Sequence, residues 1–144
     1  MYEVREYVGN YNKSNFYSIM GKFFAERIYR KKIPYLINDK DKAWYLFYQN
    51  KELIGFCGIK IRQHYTSFSD IYILEKHYSN KVLTYITNYM FNLYKMENIK
   101  LLTCSKEEIK IWKDLGFKII GNKGCYLCML WEAKHENWFS CTWC

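Results

Sequence analysis

The sequence has a single proline, and no apolar run approaches the ~20 residues needed to cross a bilayer as a helix. Collagen-like composition and low-complexity disorder are excluded, and a membrane-spanning helix is not expected. No segment repeats and no linker divides the chain. Acidic residues are in deficit: 14 Asp plus Glu stand against 22 Lys plus Arg, a net charge of +8. The opening, MYEVREYVGN, carries charge where a secretory signal would be apolar, so a cytoplasmic location is expected. Disulfides are then not expected either, although the chain has six cysteines.

What is present is a hydrophobic half and a fifth of aromatic residues, 15 of them tyrosine, in 144 residues. That is enough for one core. We expect a single domain over 1–132 and an aromatic, cysteine-bearing tail over 133–144. The positive charge suits polyanionic partners, such as nucleic acid, an acidic protein or a phosphorylated cosubstrate. An ordinary lysine-rich solvated surface gives the same count. Cys125, Cys128, Cys141 and Cys144 read C-x2-C, a gap of twelve, then C-x2-C, a spacing that zinc sites use. The segment GCYLCMLWE reads as a strand, however. There, positions i and i+3 point to opposite faces, so zinc is not the expected occupant.

Periodicity sets the elements. YEVREYV alternates as an edge strand. Ser14 is a candidate N-cap for a helix with Phe16, Ile19, Met20, Phe23, Phe24 and Ile28 on one face, closing at Arg30–Lys32 before Pro34. AWYLFYQ, a turn at Asn50 and Lys51, and ELIGFCGIKIR form a hairpin, with Gly55 and Gly58 marking a bulge or a close approach. SFSDIYIL is the next strand. Ser79 caps a helix through Met96 with Val82, Ile86, Tyr89, Met90 and Leu93 inward. IKLLTC lacks polar alternation and is expected to be buried on both faces. A short helix over 105–114 and the strands FKIIGN and CYLCMLWE complete the order β-α-β-β-β-α-β-α-β-β. This is a mixed, largely antiparallel α/β sheet with flanking helices.

That order, with the segments KELIGFCGIKI, SDIYILEKHYSNKVLTYI and SKEEIKIWKDLGFKIIG, resembles the GNAT superfamily of acyl-CoA-dependent N-acyltransferases over about residues 43 to 132. The last segment carries a Leu-Gly-Phe signature at Leu115, Gly116 and Phe117. The resemblance implies a central splay in the sheet. Acetyl-CoA or another acyl-CoA would pair its pantetheine arm with the backbone at Tyr72, Ile73 and Leu74. Its pyrophosphate would rest at Ser79, Asn80 and Lys81, and Ser105 joins the cofactor-binding set. Two departures stand out. The phosphate loop has no glycine and is followed by Val82 and Leu83. The position where the family commonly has an acid tyrosine is Trp112.

Acyl transfer from a thioester to an amine needs a base for the ammonium proton and an acid for the departing thiolate. Asp70 is the expected base, on a strand face shared with Phe68, Tyr72 and Leu74. His64 and Tyr65 precede that strand. His77 and Glu26 are further acid–base candidates, and Tyr126 and Tyr72 are candidate acids by location. The acceptor wall is expected from Phe23, Phe24, Trp44, Tyr45, Phe47, Tyr48 and Tyr65, with Arg27, Arg30, Lys31, Lys32, Lys60 and Arg62 nearby for phosphates. Three functions remain open: acetyl transfer to an amine of a small molecule or protein, modification of a DNA base in the manner of phage Mom-type enzymes, and an inactive GNAT-like binding module. A homodimer is compatible with each.

Overall fold

The computed structural model describes residues 2–26, 38 and 41–133. Its elements are β1 (Tyr2–Tyr7), α1 (Lys13–Ala25), β2 (Lys42–Gln49), β3 (Glu52–Ile61), β4 (Thr66–Ile73), a 3-10 turn (Glu75–His77), α2 (Asn80–Tyr94), β5 (Ile99–Thr103), α3 (Lys106–Leu115), β6 (Lys118–Lys123) and β7 (Tyr126–Trp131). The sheet order is β1-β2-β3-β4-β5-β7-β6, and only the β4–β5 contact is parallel. A parallel neighbour requires a crossover, and α2 supplies it.

The Asn50–Lys51 turn has φ of 51° and 67°, the paired positive values that match the twist of a two-residue hairpin. α1 starts earlier than Ser14 suggests. Asn12 caps it, its side chain accepting from the Asn15 N–H at 3.0 Å. The helix ends at Ala25, with Glu26 already extended. The expected closure at Arg30–Lys32 lies outside the described residues.

Two cores lie on the two faces of the sheet. Strand alternation sends Trp44, Leu46, Tyr48 and Phe56 to one face, where Phe16, Met20 and Phe23 of α1 cover them. Each of those three α1 side chains is fully buried, worth about 1.5–3 kcal/mol apiece in transfer terms. Tyr45, Phe47, Cys57, Ile59 and Phe68 go to the other face, beneath α2 and Trp112 of α3. On α2 the buried stripe is Val82, Leu83, Ile86, Thr87, Met90 and Phe91. Leu93 falls off that stripe and is exposed, contrary to expectation. Thr87 sits in the stripe because its hydroxyl donates to the Leu83 carbonyl at 2.8 Å.

β5 is not buried on both faces. Ile99, Leu101 and Thr103 are buried, whereas Leu102 is 45 % exposed. Among the described residues, α1 and its core cover β2 and β3, not this end of the sheet.

A candidate active site at a splay in the sheet

The site begins with the way β4 leaves β5. The two strands pair only from Thr66↔Ile99 to Phe68↔Leu101, and β4 then runs on through Ile73. β5 meanwhile pairs with β7 along its whole length, through Thr103↔Leu127. A V therefore opens between β4 and β5 beyond Phe68. Its closed end is fastened by Asn98. The Asn98 carbonyl accepts from the Thr66 N–H at 2.8 Å, and its side-chain oxygen accepts from the Ala133 N–H at 2.9 Å.

At the point of parting, β4 carries a bulge. Gly58 faces Asp70 and Ile59 faces Phe68, which leaves Ser69 as an extra residue. An extra residue flips the alternation and increases the local twist. Phe68 therefore packs with the α2-side core, while Tyr72 and Leu74 pack with the α1-side core. The expectation that Asp70 shares a face with Phe68 is corrected by this bulge. Asp70 lies on the α1 side, beside Trp44. A Cβ on Gly58 would come within 2.8 Å of the Trp44 ring and 3.1 Å of Asp70 Oδ2. Gly58 is bare because indole and carboxylate share its space.

Asp70 is buried and paired. Lys42 Nζ donates to its Oδ2, and the Ser69 hydroxyl donates to the same oxygen at 3.0 Å. The Lys42 ammonium also lies 4.9 Å from the Trp44 ring centroid, a cation–π contact. Burial pushes the Asp70 carboxyl above the usual carboxylate range, and Lys42 and Ser69 pull it partly back.

The other lip of the V carries a carboxylate that sequence reasoning missed. Glu108 stands in the first turn of α3, just beyond the end of β5. Its Oε1 accepts from the Trp112 indole at 3.0 Å, and Thr103 adds a further side-chain hydrogen bond. Burial raises its pKa, and both donors lower it. The Ser105-x-x-Glu108 spacing signals a capping box, in which the glutamate would reach back to the N-cap amide. Here the Thr103 hydroxyl takes the Ser105 N–H at 3.2 Å, and the Glu108 side chain turns inward. Trp112 itself is wholly buried against Phe68 and Phe117, a core residue.

The remaining candidates divide by their place on the V. His64 and Tyr65 lie at the closed end. His64 is exposed, and Tyr65 sits 4.4 Å beneath the Lys100 ammonium, so neither joins Asp70. Tyr126 opens β7 and, because β7 runs against β5, lies toward the open end, half-buried. Of the three backbone positions at the end of β4, the Leu74 amide is committed to the Ile54 carbonyl at 2.9 Å. Tyr72 packs its ring against Phe23 and Phe56. His77 Nε2 lies 3.1 Å from the Glu52 carboxylate, which ties the 3-10 turn to the start of β3. Glu26 is exposed at the end of α1.

Past the open end of β4 comes the N-terminus of α2. Ser79 caps it, accepting from the Val82 N–H at 3.2 Å, and Ser79, Asn80 and Lys81 are exposed. Val82 and Leu83 are 5 % and 3 % exposed, turned into the core. Their side chains therefore leave the mouth of the loop clear without glycine. Ser105 caps α3 in the same manner, accepting from the Glu108 N–H at 3.3 Å and donating to Glu107 at 3.1 Å.

The expected aromatic wall does not form as one surface. Trp44 and Tyr48 face α1, while Tyr45 and Phe47 face α2, and all four are buried. Arg27, Arg30, Lys31 and Lys32 lie outside the described residues. Cys125 is exposed in the β6–β7 turn and Cys128 is half-buried on β7. Cys141 and Cys144 lie outside the description, and among the described residues no three His, Cys, Asp or Glu gather as a metal site would require. No helix among the described residues is long and apolar enough to cross a membrane.

A seven-stranded sheet parted between a parallel pair, with a crossover helix beginning at the open end, defines the GNAT class of fold. Comparison with solved structures shows the same. The chain is similar to ElaA of Escherichia coli, at 15 % identity over 92 % of this chain and 100 % of that one, with a TM-score of 0.64. It is similar to the N-acetyltransferase PseH of Campylobacter jejuni in complex with acetyl coenzyme A, at 14 % identity over 93 % and 100 % of the two chains, TM-score 0.57. It is also similar to the ribosomal-protein-S18-alanine N-acetyltransferase of Escherichia coli, at 11 % identity over 95 % and 98 %, TM-score 0.63. No protein-family profile matches the sequence, and no curated protein matches it. The chain thus has the GNAT fold, carried by a sequence far from its structural neighbours.

Proposed function

We infer that this protein is an acyl-CoA-dependent N-acyltransferase, with acetyl-CoA as the expected cosubstrate and an amine of a small molecule or protein as acceptor. The observation that carries the reading is the V between β4 and β5, open beside the exposed first turn of α2. Beyond Phe68 the ladder to β5 stops while β4 stays paired to β3 on its other side, and the gap so left suits an extended pantetheine, which would add to the sheet as a strand does. The exposed amide end of α2, with Lys81 beside it, suits the pyrophosphate. Inward-turned Val82 and Leu83 keep that approach open, so the glycine-free loop fits the cosubstrate. The similarity to PseH, whose structure contains acetyl coenzyme A, points the same way.

In this reading Asp70 receives the ammonium proton. Its burial favours the protonated acid more than water would, which brings its affinity for a proton toward that of a useful base. Trp112 is too weak an acid to serve the thiolate. Glu108, one turn earlier on the same helix, and Tyr126 both stand toward the open end. The net charge of +8 favours an acceptor or partner that is itself anionic.

Titration calorimetry with acetyl-CoA tests the cosubstrate, and thiol release across a panel of amines tests the chemistry. Binding with amine-dependent release of free thiol is expected. Absence of binding at millimolar acetyl-CoA contradicts the reading. In that event the inactive GNAT-like module takes its place.

A further inference from the structure

The α1 side of the splay holds a built ammonium site that is already filled from within the chain. Lys42 starts β2 and Asp70 lies two strands away on β4, with β3 between them. Gly58 on β3, opposite both Trp44 and Asp70, has no side chain, so the indole and the carboxylate share the space above it. Lys42 Nζ meets the Asp70 carboxylate on one side and the Trp44 ring on another. The two side chains are 6 % and 5 % exposed. An ammonium held by a carboxylate and an aromatic face, beside the point where β4 parts from β5, is the arrangement an amine acceptor requires. Any external amine seeking Asp70 would have to displace Lys42.

We propose that Lys42 is itself an acyl acceptor, so that the protein acetylates its own Lys42 side chain with Asp70 as the base. The inference rests on the acyltransferase reading and goes beyond it by naming an internal substrate. In the step, the Lys42 ammonium passes one proton to the Asp70 carboxylate. The neutral Nζ attacks the thioester carbonyl carbon, the C–N bond forms, and the C–S bond breaks. The departing sulfur takes the second proton and leaves as free thiol. The third hydrogen stays on the amide, and the first proton remains on Asp70. No oxidant or further reactant is needed.

The product has a consequence. An acetylated Lys42 is neutral, so the buried Asp70 loses its cation and is driven toward its protonated form. A protonated Asp70 cannot accept a proton from another acceptor. Modification would thereby lower turnover on external amines.

The test uses the intact chain with acetyl-CoA and no added amine, followed over time by intact mass and peptide mapping. Calorimetry on the same preparation establishes whether acetyl-CoA binds. Heat-denatured chain serves as the control for spontaneous lysine acetylation. The expected result is one acetyl group per chain, mapped to Lys42 and formed faster than on any surface lysine. Asp70→Asn should slow it by about a hundredfold or more, in the range of lost acid–base catalysis. Lys42→Arg should abolish it. If acetyl-CoA binds but Lys42 stays unmodified, or is modified no faster than in the denatured control, the inference is overturned and the acyltransferase reading stands. If acetyl-CoA does not bind, both fall. Mapping on the unsubstituted chain decides the matter even where a variant fails to fold.

Discussion

The two lips of the splay solve the same problem differently. Each buries a carboxylate beside the opening. On the β4 lip, Asp70 has a full cation, a hydroxyl and an indole face around it. On the α3 lip, Glu108 has neutral donors, the Trp112 indole and Thr103. The surroundings differ in the same sense. The β4 lip belongs to a half-sheet covered on both faces, where all of β2 except its last residue is buried. The β5 lip belongs to a half-sheet with Leu102 exposed on one face and every residue of β6 exposed at the edge. A carboxylate buried with its counter-ion is held by mutual dependence. A carboxylate held by neutral donors alone has no counter-ion to offset its burial.

The sharpest way to break that contrast is to orphan one charge. Lys42→Met leaves Asp70 buried without its cation, and we expect a loss of about 3–5 kcal/mol in urea unfolding. Lys42→Met with Asp70→Leu should recover most of it, because two apolar groups no longer need each other. A double variant as unstable as the single one would contradict the account of the pair. Next in size is Gly58→Ala. Its Cβ would press on the Trp44 ring at 2.8 Å, and a fully buried indole cannot swing away. A loss of about 1–3 kcal/mol is expected, as for overpacked cores. The same substitution at Gly21, where a Cβ meets nothing within 4 Å, should not destabilise. Ser79→Ala removes a helix cap at the open end and should cost about 1 kcal/mol in thermal unfolding.

The smallest effect is a slope. The Glu108 pKa is raised in the folded chain, so the native state binds its proton more tightly than the unfolded state does. Its contribution to stability is fully present below the ordinary glutamate range. It is lost as pH rises through the folded value. Glu108→Gln should flatten that decline and leave stability above the window higher than in the parent. Unfolding free energies measured across mildly acidic to neutral pH give the two slopes, and equal slopes would show that Glu108 does not hold its proton unusually.

Much of the architecture was legible in the residues because local rules act locally. The alternation of β2 and the Asn50–Lys51 turn carry their own signals. The periodic stripe of α2 does so as well. The site was harder for three particular reasons. Gly58 marks the place of the bulge, but the extra residue, Ser69, lies on the opposite strand, where no glycine or proline shows that the alternation flips between Phe68 and Asp70. The Lys42–Asp70 pair joins residues 28 positions apart, and no pattern within either strand reports the other. Glu108 is hidden behind a spacing that ordinarily means a capping box, whereas Thr103 takes the Ser105 N–H in the glutamate's place. At β5, an apolar run suggested double burial because a sequence does not show which faces a helix reaches.

Hydrogen exchange on the amides of 69–74, with and without acetyl-CoA, tests the central claim most directly. The splay account predicts that acetyl-CoA slows exchange in that stretch of β4 and in the first turn of α2, while β6 is unchanged. Protection absent from β4, or confined to the β6 edge, would contradict it.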